Sequence, residues 1–230
     1  MKILIDQVKV QRRRRLSNIA SVGGLLLLLA SVVLPLVRLE DYATYSTVLM
    51  VLGLAIAMVG IYFANRWVKK PRPEDQLDNA LKSLGDFHRL YHYPKLPCDH
   101  VLLTPWGVLV LETINLEGEF HYKDGRWKEK MGLGRALRYI VEEHLGNPIK
   151  SALASEGYLK GRLNDETPGG RDIPVHSVVV FVHPAAVLDV ESSETPVCKV
   201  EKLRRYANLK TGKLSVDLYD RARKFLDEAL

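Results

Sequence analysis

Apolar positions are concentrated in the first third of the chain, in two uncharged runs at residues 16–37 and 42–65. Each run holds about 22 to 24 residues, enough for an α-helix to cross a hydrocarbon core of roughly 30 Å. Neither run has a polar face, which argues against a core helix of a soluble protein. A signal peptide is disfavoured because the first run is too long and lacks a small-residue cleavage site. We therefore predict a transmembrane helical hairpin at residues 16–67, and we interpret its glycines as ordinary membrane glycines rather than a packing motif.

Basic residues flank the outer ends of this pair of runs. Four consecutive arginines at 12–15 precede the first run, and the second is followed by Arg66, Lys69, Lys70 and Arg72. The connecting segment at 38–41 carries one arginine against two acids. Because positive charge favours the cytoplasmic side, we predict a multi-pass protein of the cell (inner) membrane, with both termini in the cytoplasm and the lipid bilayer as a partner.

The periodicity changes after a stiff, proline-containing linker at residues 68–73. Apolar residues recur at helical spacing from Glu74 to Leu84, which predicts a helix. Further helices are predicted at 135–145, 147–163, 199–209 and 215–230, and a buried strand is predicted at 176–182. Together these elements predict an α/β domain, with a central mixed β-sheet flanked by helices on both sides. The domain extends over residues 74–230, with its core at 74–190 and C-terminal helices at 199–230, and a basic cytoplasmic segment occupies residues 1–15.

Residues 96–115 contain the most informative pattern, two apolar strands joined by the turn Thr104-Pro105-Trp106-Gly107. Pairing the strands about this turn sets Leu103 opposite Val108 and, further out, Asp99 opposite Glu112. Their Cβ atoms would then lie roughly 5 Å apart on one face of the sheet. Two opposed carboxylates destabilise a sheet unless a cation or a shared proton relieves them. We therefore interpret Asp99 and Glu112 as a candidate site for a divalent metal.

Charge and cysteine content narrow the setting of this domain. The net charge of +6 makes nucleic acid, an anionic membrane surface, or both, plausible partners. The two cysteines, Cys98 and Cys198, have no framework spacing, so the soluble part fits a reducing compartment and not a disulfide scaffold. His88 and His92 are four residues apart, but no third ligand stands at a usual metal spacing.

Several of these motifs together resemble the nuclease-related domain (NERD) family. They are Glu74-x-x-Leu77-x-x-x-Leu81, Asp99-His100-Val101 and Trp106-Gly107-Val108-Leu109-Val110-Leu111-Glu112-Thr113, followed by Asn115, Gly118 and Asn147-Pro148. The resemblance covers about residues 73–190, and its central segment is the specific part. The family is similar to restriction-endonuclease-like proteins and often lies beside membrane anchors. The resemblance therefore implies two transmembrane helices followed by a restriction-endonuclease-like domain.

The same resemblance assigns expected roles to three acids. Glu74 matches the family's helix acid, Asp99 the first strand acid and Glu112 the second. Asp99 and Glu112 are the expected ligands of Mg²⁺, or of Mn²⁺, and no small-molecule cofactor is expected. Such a metal would lower the pKa of a bound water and stabilise charge on a phosphate.

One departure from the family pattern falls at a position that matters for catalysis. The family has lysine two residues after the strand glutamate, and this chain has Ile114 there. Isoleucine neither orients a water molecule nor neutralises developing charge. A substitute could come from Lys95, Lys123, Lys128 or Lys150, although most lysines are solvated surface groups.

Three functions remain open on the sequence. The first is a nuclease-related module that is degenerate at its active site and binds nucleic acid or protein at the membrane. The second is a divalent-metal-dependent nuclease that hydrolyses DNA or RNA. The third is a membrane scaffold without a nucleic-acid role. Arg135, Arg138, Lys150, Lys160 and Arg162 form either a phosphate-binding face or a solvated helix surface.

Overall fold

A computed structural model describes residues 1–37, 43–130, 144–191, 193–208 and 212–230. The chain separates into two compact units. The first, the helical unit, contains the described residues of 7–72. The second, the α/β unit, contains residues 1–6 together with the described residues of 73–130 and 145–230. Each unit is described on its own below.

The helical unit consists of α1 (Gln7–Val37) and α2 (Ala43–Trp67). By length and composition, both are apolar enough to cross a membrane. Large apolar side chains such as Leu26, Val32 and Val51 are exposed along them. The first helix begins at Gln7, well before the apolar run, so the four arginines at 12–15 are part of it.

The packing of α1 against α2 depends on small residues. A Cβ atom added at Gly24 would lie 2.5 Å from the α2 backbone, and one added at Gly60 would lie 2.6 Å from the α1 backbone. Ser17 Oγ donates a hydrogen bond of 3.1 Å to the carbonyl oxygen of Gly60. Gly23, by contrast, faces open space. The interpretation of these residues as ordinary membrane glycines is therefore wrong for Gly24 and Gly60, because side chains there would hold the helices apart.

The centre of the α/β unit is a six-stranded mixed sheet, as predicted. In chain order its strands are β1 (Lys2–Ile5), β2 (Arg89–His92), β3 (His100–Thr104), β4 (Gly107–Ile114), β7 (Val175–Phe181) and β9 (Val197–Lys199). They lie side by side in that order. The pairs β2–β3 and β3–β4 are antiparallel, whereas β1–β2, β4–β7 and β7–β9 are parallel.

The α/β unit also contains a second sheet, which has three strands. It contains β5 (Gly118–Lys123), β6 (Arg126–Lys130) and β8 (Ala186–Val190), in the order β6-β5-β8. The β5–β6 hairpin turns at Asp124 (φ 51°) and Gly125 (φ 74°), the positive φ values that a two-residue hairpin turn requires. Phe120 of β5 is fully buried and packs on Phe181 of β7, with the two ring centroids 4.9 Å apart.

Helices cover both faces of the six-stranded sheet. They are α3 (Pro73–Leu81), α4 (Pro148–Glu166), the short α5 (Arg204–Ala207) and α6 (Val216–Glu228). One core joins α3 and α5 to Leu109 and Leu111 of β4, and the other joins α4 and α6 to Val108 and Val110. This alternation is what a strand buried on both faces requires. The predicted mixed sheet with helices on both sides is thus confirmed.

The helix starts follow the capping residues. Asn147 Oδ1 accepts a hydrogen bond of 3.1 Å from the Lys150 amide at the start of α4, where Pro148 is the first residue. Ser215 Oγ accepts one of 3.2 Å from the Leu218 amide at the start of α6.

Two segments differ from the predicted pattern. Residues 2–5, within the segment expected to be only basic and cytoplasmic, form the edge strand β1. The helix predicted at 199–209 is instead the end of β9, a 3₁₀ turn at Val200–Lys202 and the single turn of α5. Most of the helix predicted at 135–145 lies outside the described residues.

Candidate functional site

The β3–β4 hairpin has the register that its sequence predicts. Leu103 pairs with Val108 and His100 pairs with Leu111. The turn uses a φ of 145° at Gly107, a conformation that favours glycine. In addition, a Cβ atom at this position would lie 2.4 Å from the carbonyl oxygen of Pro174. Continuing the register by one residue brings Asp99, which immediately precedes β3, opposite Glu112 of β4.

Asp99 and Glu112 lie at the border between the core and solvent. Both are half-buried, whereas the preceding part of β4, Val108–Leu111, is completely enclosed. By the two-residue period of a strand, Glu112 shares the face of Val110, which α4 covers. Ser155 of α4 donates a hydrogen bond of 3.0 Å to the carbonyl oxygen of Pro97 and so holds this helix close to the segment that carries Asp99.

Glu74, the third acid, is linked to this region through Tyr93. Glu74 lies in the first turn of α3 and is only 3% exposed. The Tyr93 hydroxyl donates a hydrogen bond of 2.8 Å to Glu74 Oε2, and the Tyr93 amide donates one of 2.6 Å to the carbonyl oxygen of Asp99. One residue therefore contacts both the helix acid and the backbone of the first strand acid.

Tyr93 is the residue of this arrangement that the sequence did not identify. It follows β2 with a φ of 60°, a conformation that a bulky residue adopts only where the surrounding structure enforces it. The aromatic run around it indicates only a strand. The left-handed backbone of Tyr93, at the end of this run, could not be predicted. Glycine and asparagine are the residues that usually indicate this conformation, and the run contains neither.

The histidines near the site belong to the core. His92 and His100 are fully buried, and their Nδ1 atoms are 2.8 Å apart. His92 Nε2 lies 2.9 Å from Asp78 Oδ1 on α3. These histidines therefore lie on the side of β3 that faces α3. Asp99 lies on the opposite side, as alternation predicts. His92 is thus buried against α3, and the expectation that His88 and His92 are not a metal pair stays a prediction.

Ile114 occupies the family lysine position as a member of an apolar cluster. Its side chain is 9% exposed, and it packs among residues that include Ala152, Val179 and Phe181. In the parallel pairing of β4 with β7, Ile114 lies beside Phe181. A site that would receive an ammonium group in an active nuclease is thus lined by hydrocarbon here.

The cations proposed as substitutes or as a phosphate-binding face are on the surface. The exposed lysines are Lys95, Lys123, Lys128, Lys150 and Lys160. Lys123 Nζ is 3.1 Å from Glu191, and the Arg162 guanidinium binds Glu166 and the Tyr158 hydroxyl. Arg135 and Arg138 lie outside the described residues.

The donor set at Asp99 and Glu112 suits one kind of metal. Within the described residues, no group of three or more His, Cys, Asp or Glu side chains is arranged to hold a metal ion. Two half-buried carboxylates on neighbouring strands nevertheless match Mg²⁺, which takes one or two protein carboxylates and keeps several waters. These residues fit Mg²⁺ or Mn²⁺ as ligands. The lysine that the family has beside them, which would assist catalysis, is replaced by Ile114.

Comparison with family models matches residues 69–182 to the nuclease-related domain, NERD. The matched segment begins just before α3 and ends just after β7, so it includes Glu74, Asp99, Glu112 and Ile114. Comparisons with curated proteins and with solved structures returned no match.

Proposed function

Because residues 69–182 make this chain a member of the nuclease-related domain family, we propose that it is a membrane-anchored nucleic-acid-binding protein whose nuclease site is degenerate. The observation that carries the proposal is the burial of Ile114 in an apolar cluster at the position of the family lysine. Binding and cleavage have different requirements, since phosphates are bound by any suitably placed cations, whereas cleavage needs charge at the reacting atoms.

The chemistry of phosphodiester hydrolysis explains why Ile114 matters. In an active site of this type, a bound metal would stabilise the negative charge of the phosphate and lower the pKa of the water bound to it. Asp99 and Glu112 would hold that metal, and Tyr93 would keep Glu74 oriented. A lysine beside them would stabilise the charge that develops in the transition state. Losing one such electrostatic group costs about 10²–10³ in rate.

Exposed lysines on α4 support the nucleic-acid part of the proposal. The excess of basic residues in the chain lies in residues 1–73, whereas residues 74–230 hold 22 basic and 24 acidic residues, so local rather than net charge carries this part of the proposal. Exposed lysines lie on α4, next to the segment of Asp99. A basic surface of this kind binds phosphates without reading the base sequence.

Two observations support a cytoplasmic location for this domain at the inner membrane. The helices α1 and α2 are long and apolar enough to cross a bilayer, and basic residues flank their outer ends. In addition, β1 precedes α1 in the chain but pairs with β2, which follows α2. Both strands must then lie on one side of the membrane, which two crossings provide.

The test uses the full-length protein in detergent or nanodiscs, with end-labelled DNA and RNA. We expect saturable binding without added metal and no cleavage with Mg²⁺ or Mn²⁺. The variant Ile114→Lys should then gain metal-dependent cleavage of about 10²–10³ over the wild-type background. Ile114→Met is the matched control, since it keeps the side chain apolar and of similar volume. Circular dichroism identifies any variant that fails to fold.

The alternative function is a divalent-metal-dependent nuclease, which the surviving acids favour. Opposed carboxylates are costly to a sheet, and Glu74 keeps a dedicated tyrosine partner. Cleavage by the wild-type protein that requires Mg²⁺ or Mn²⁺ and is lost in Asp99→Ala would establish this function and contradict ours. Absence of both binding and cleavage would instead favour a protein-binding module or a scaffold.

A further inference from the structure

A second site lies at the other end of the six-stranded sheet, away from Asp99 and Glu112. It is a cavity of about 470 Å³, formed where the starts of β1 and β2 meet the β3–β4 turn and the segment leading into α6. Its lining includes Lys2, Phe87, Pro105, Lys213 and Tyr219. The volume falls in the range of small-molecule sites, which is roughly 300–1,000 Å³.

The charges of this cavity leave two lysines unused. Its charged side chains are Lys2, Asp86, Arg89, Lys213, Asp220 and Arg223. Asp86 lies 3.5 Å from the Met1 amine, and Asp220 lies 3.2 Å from the Arg223 guanidinium. Arg89 is held by Asp227, at 2.7 Å. In the part of the chain that the structure describes, Lys2 and Lys213 therefore have no acidic partner, and both ammonium groups are available to an anion.

An aromatic ring stands at the edge of the same cavity. Phe87 is 69% exposed, an unusual state for a phenylalanine that packs into no core. Its ring meets Tyr219 edge to face, with centroids 6.4 Å apart and an interplanar angle of 78°. The Tyr219 hydroxyl also donates a hydrogen bond of 2.9 Å to the carbonyl oxygen of Phe87. The backbone of Phe87 is thus tied to Tyr219 while most of its side chain stays exposed, so the ring is accessible to a planar group that stacks on it.

From these features we propose that this cavity binds a phosphorylated nucleoside. The base would stack on Phe87, and the phosphate would take the ammonium groups of Lys2 and Lys213. The ligand chemistry is shared by a free nucleotide and by the 5′-phosphorylated end of a strand. The site is separate from the Asp99 region and does not depend on whether that region cleaves or binds nucleic acid.

The experiment is a calorimetric titration of the full-length protein in detergent with ADP. Parallel titrations use inorganic phosphate and two short oligonucleotides, one with a 5′-phosphate and one with a 5′-hydroxyl. Phe87→Ala should weaken ADP binding about tenfold because it removes the stacking surface, and Phe87→Tyr should restore it. Lys213→Gln should weaken binding about fivefold. Lys202→Gln, an exposed change in the 3₁₀ turn at Val200–Lys202, is the charge-matched control, and it should leave the ADP affinity unchanged.

The outcomes separate the two sources and also identify failure. Binding of ADP with equal affinity for the two oligonucleotides assigns a free nucleotide to the cavity, because any binding elsewhere on the protein is common to both strands. A preference for the 5′-phosphorylated oligonucleotide that Phe87→Ala removes assigns a strand end. The proposal is overturned if ADP does not bind and the 5′-phosphorylated strand binds no more tightly than the 5′-hydroxyl strand. It is equally overturned if inorganic phosphate binds as tightly as ADP, or if Lys202→Gln weakens ADP binding as much as Lys213→Gln.

Discussion

Tyr93 combines a strained backbone with two hydrogen bonds, and this combination makes it the residue on which the arrangement of the acids depends. Its left-handed φ of 60° costs about 1–3 kcal/mol for a residue other than glycine. Its side chain is nevertheless fully buried, and its hydroxyl and amide contact Glu74 and Asp99. Burial and hydrogen bonding to a carboxylate offset the strain, so Tyr93 acts as a positioning residue for the candidate site.

We expect Tyr93→Phe to lower the free energy of unfolding by about 1–3 kcal/mol, because it removes a buried hydrogen bond to a carboxylate. Urea unfolding followed by tryptophan fluorescence measures the change. Tyr122→Phe is the matched control, since within the described residues no hydrogen bond of its hydroxyl is seen. Equal stability of the two variants would show that the Glu74 contact contributes little. In the Ile114→Lys background, Tyr93→Phe should also reduce the gained cleavage rate.

Residue-level prediction from the sequence succeeded where a simple period decides the outcome. The register of Asp99 and Glu112 follows from a turn with proline and glycine at characteristic positions and from strict alternation. Alternation also assigns Ile114 to the face of Glu112, and the sequence alone shows that no lysine stands there. Tyr93 could not be predicted, because its position depends on a tertiary contact with α3 that overrides local preference.

At the level of elements, the contact between α1 and α2 is defined by where backbone meets backbone. Gly60 lies against Ser21, and Ser17 donates to the Gly60 carbonyl oxygen. Close approach of this kind favours van der Waals contact and hydrogen bonding, which replace the hydrophobic effect as the driving force in lipid.

Gly60→Val should destabilise the helical hairpin by about 1–3 kcal/mol, because the new Cβ atom would lie 2.6 Å from the Ser21 amide nitrogen. Gly23→Val, on the same pair of helices, should have little effect, since nothing lies within 4 Å of its added Cβ. Unfolding of each variant in mixed SDS and mild detergent, followed by circular dichroism, makes the comparison. Equal loss in both variants would mean that the glycines act only through helix propensity.

Elements with strong end signals were predictable, whereas short edge strands were not. Asn147 with Pro148 and Ser215 mark the starts of α4 and α6, and the structure has caps at both. By contrast, β1 and β9 are only four and three residues long, and they depend on neighbouring strands for their hydrogen bonds. The prediction at 199–209 is wrong because the composition there is typical of a helix, and the hydrogen bonds that β9 makes to its neighbouring strand cannot be seen in the sequence pattern.

At the scale of the whole molecule, β1 joins the segment before the two apolar helices to the sheet whose other strands follow them. Met1 packs against the core beneath α3, and β1 completes one edge of the sheet that carries Asp99 and Glu112. The chain then passes through α1 and α2 before it returns to α3. If α1 and α2 cross a membrane, as we propose, the pairing of β1 with β2 requires residues 1–6 and residues 73–230 to lie on the same side of it.

This requirement predicts the labelling pattern of engineered cysteines in intact cells. Ile3→Cys and Ser83→Cys, both at exposed positions of the α/β unit, should react with a membrane-impermeant maleimide only after permeabilisation. Glu40→Cys, in the segment between the apolar runs, should react in intact cells.

The native thiols give a low background, since Cys98 and Cys198 are each 4% exposed and burial raises the pKa of the Cys198 thiol to about 12. Because the thiolate is the reactive form, Cys198 stays unlabelled at neutral pH. Labelling of Ile3→Cys and Ser83→Cys on opposite sides would contradict the pairing of β1 with β2, whereas labelling of both from outside would retain that pairing and reverse the proposed orientation.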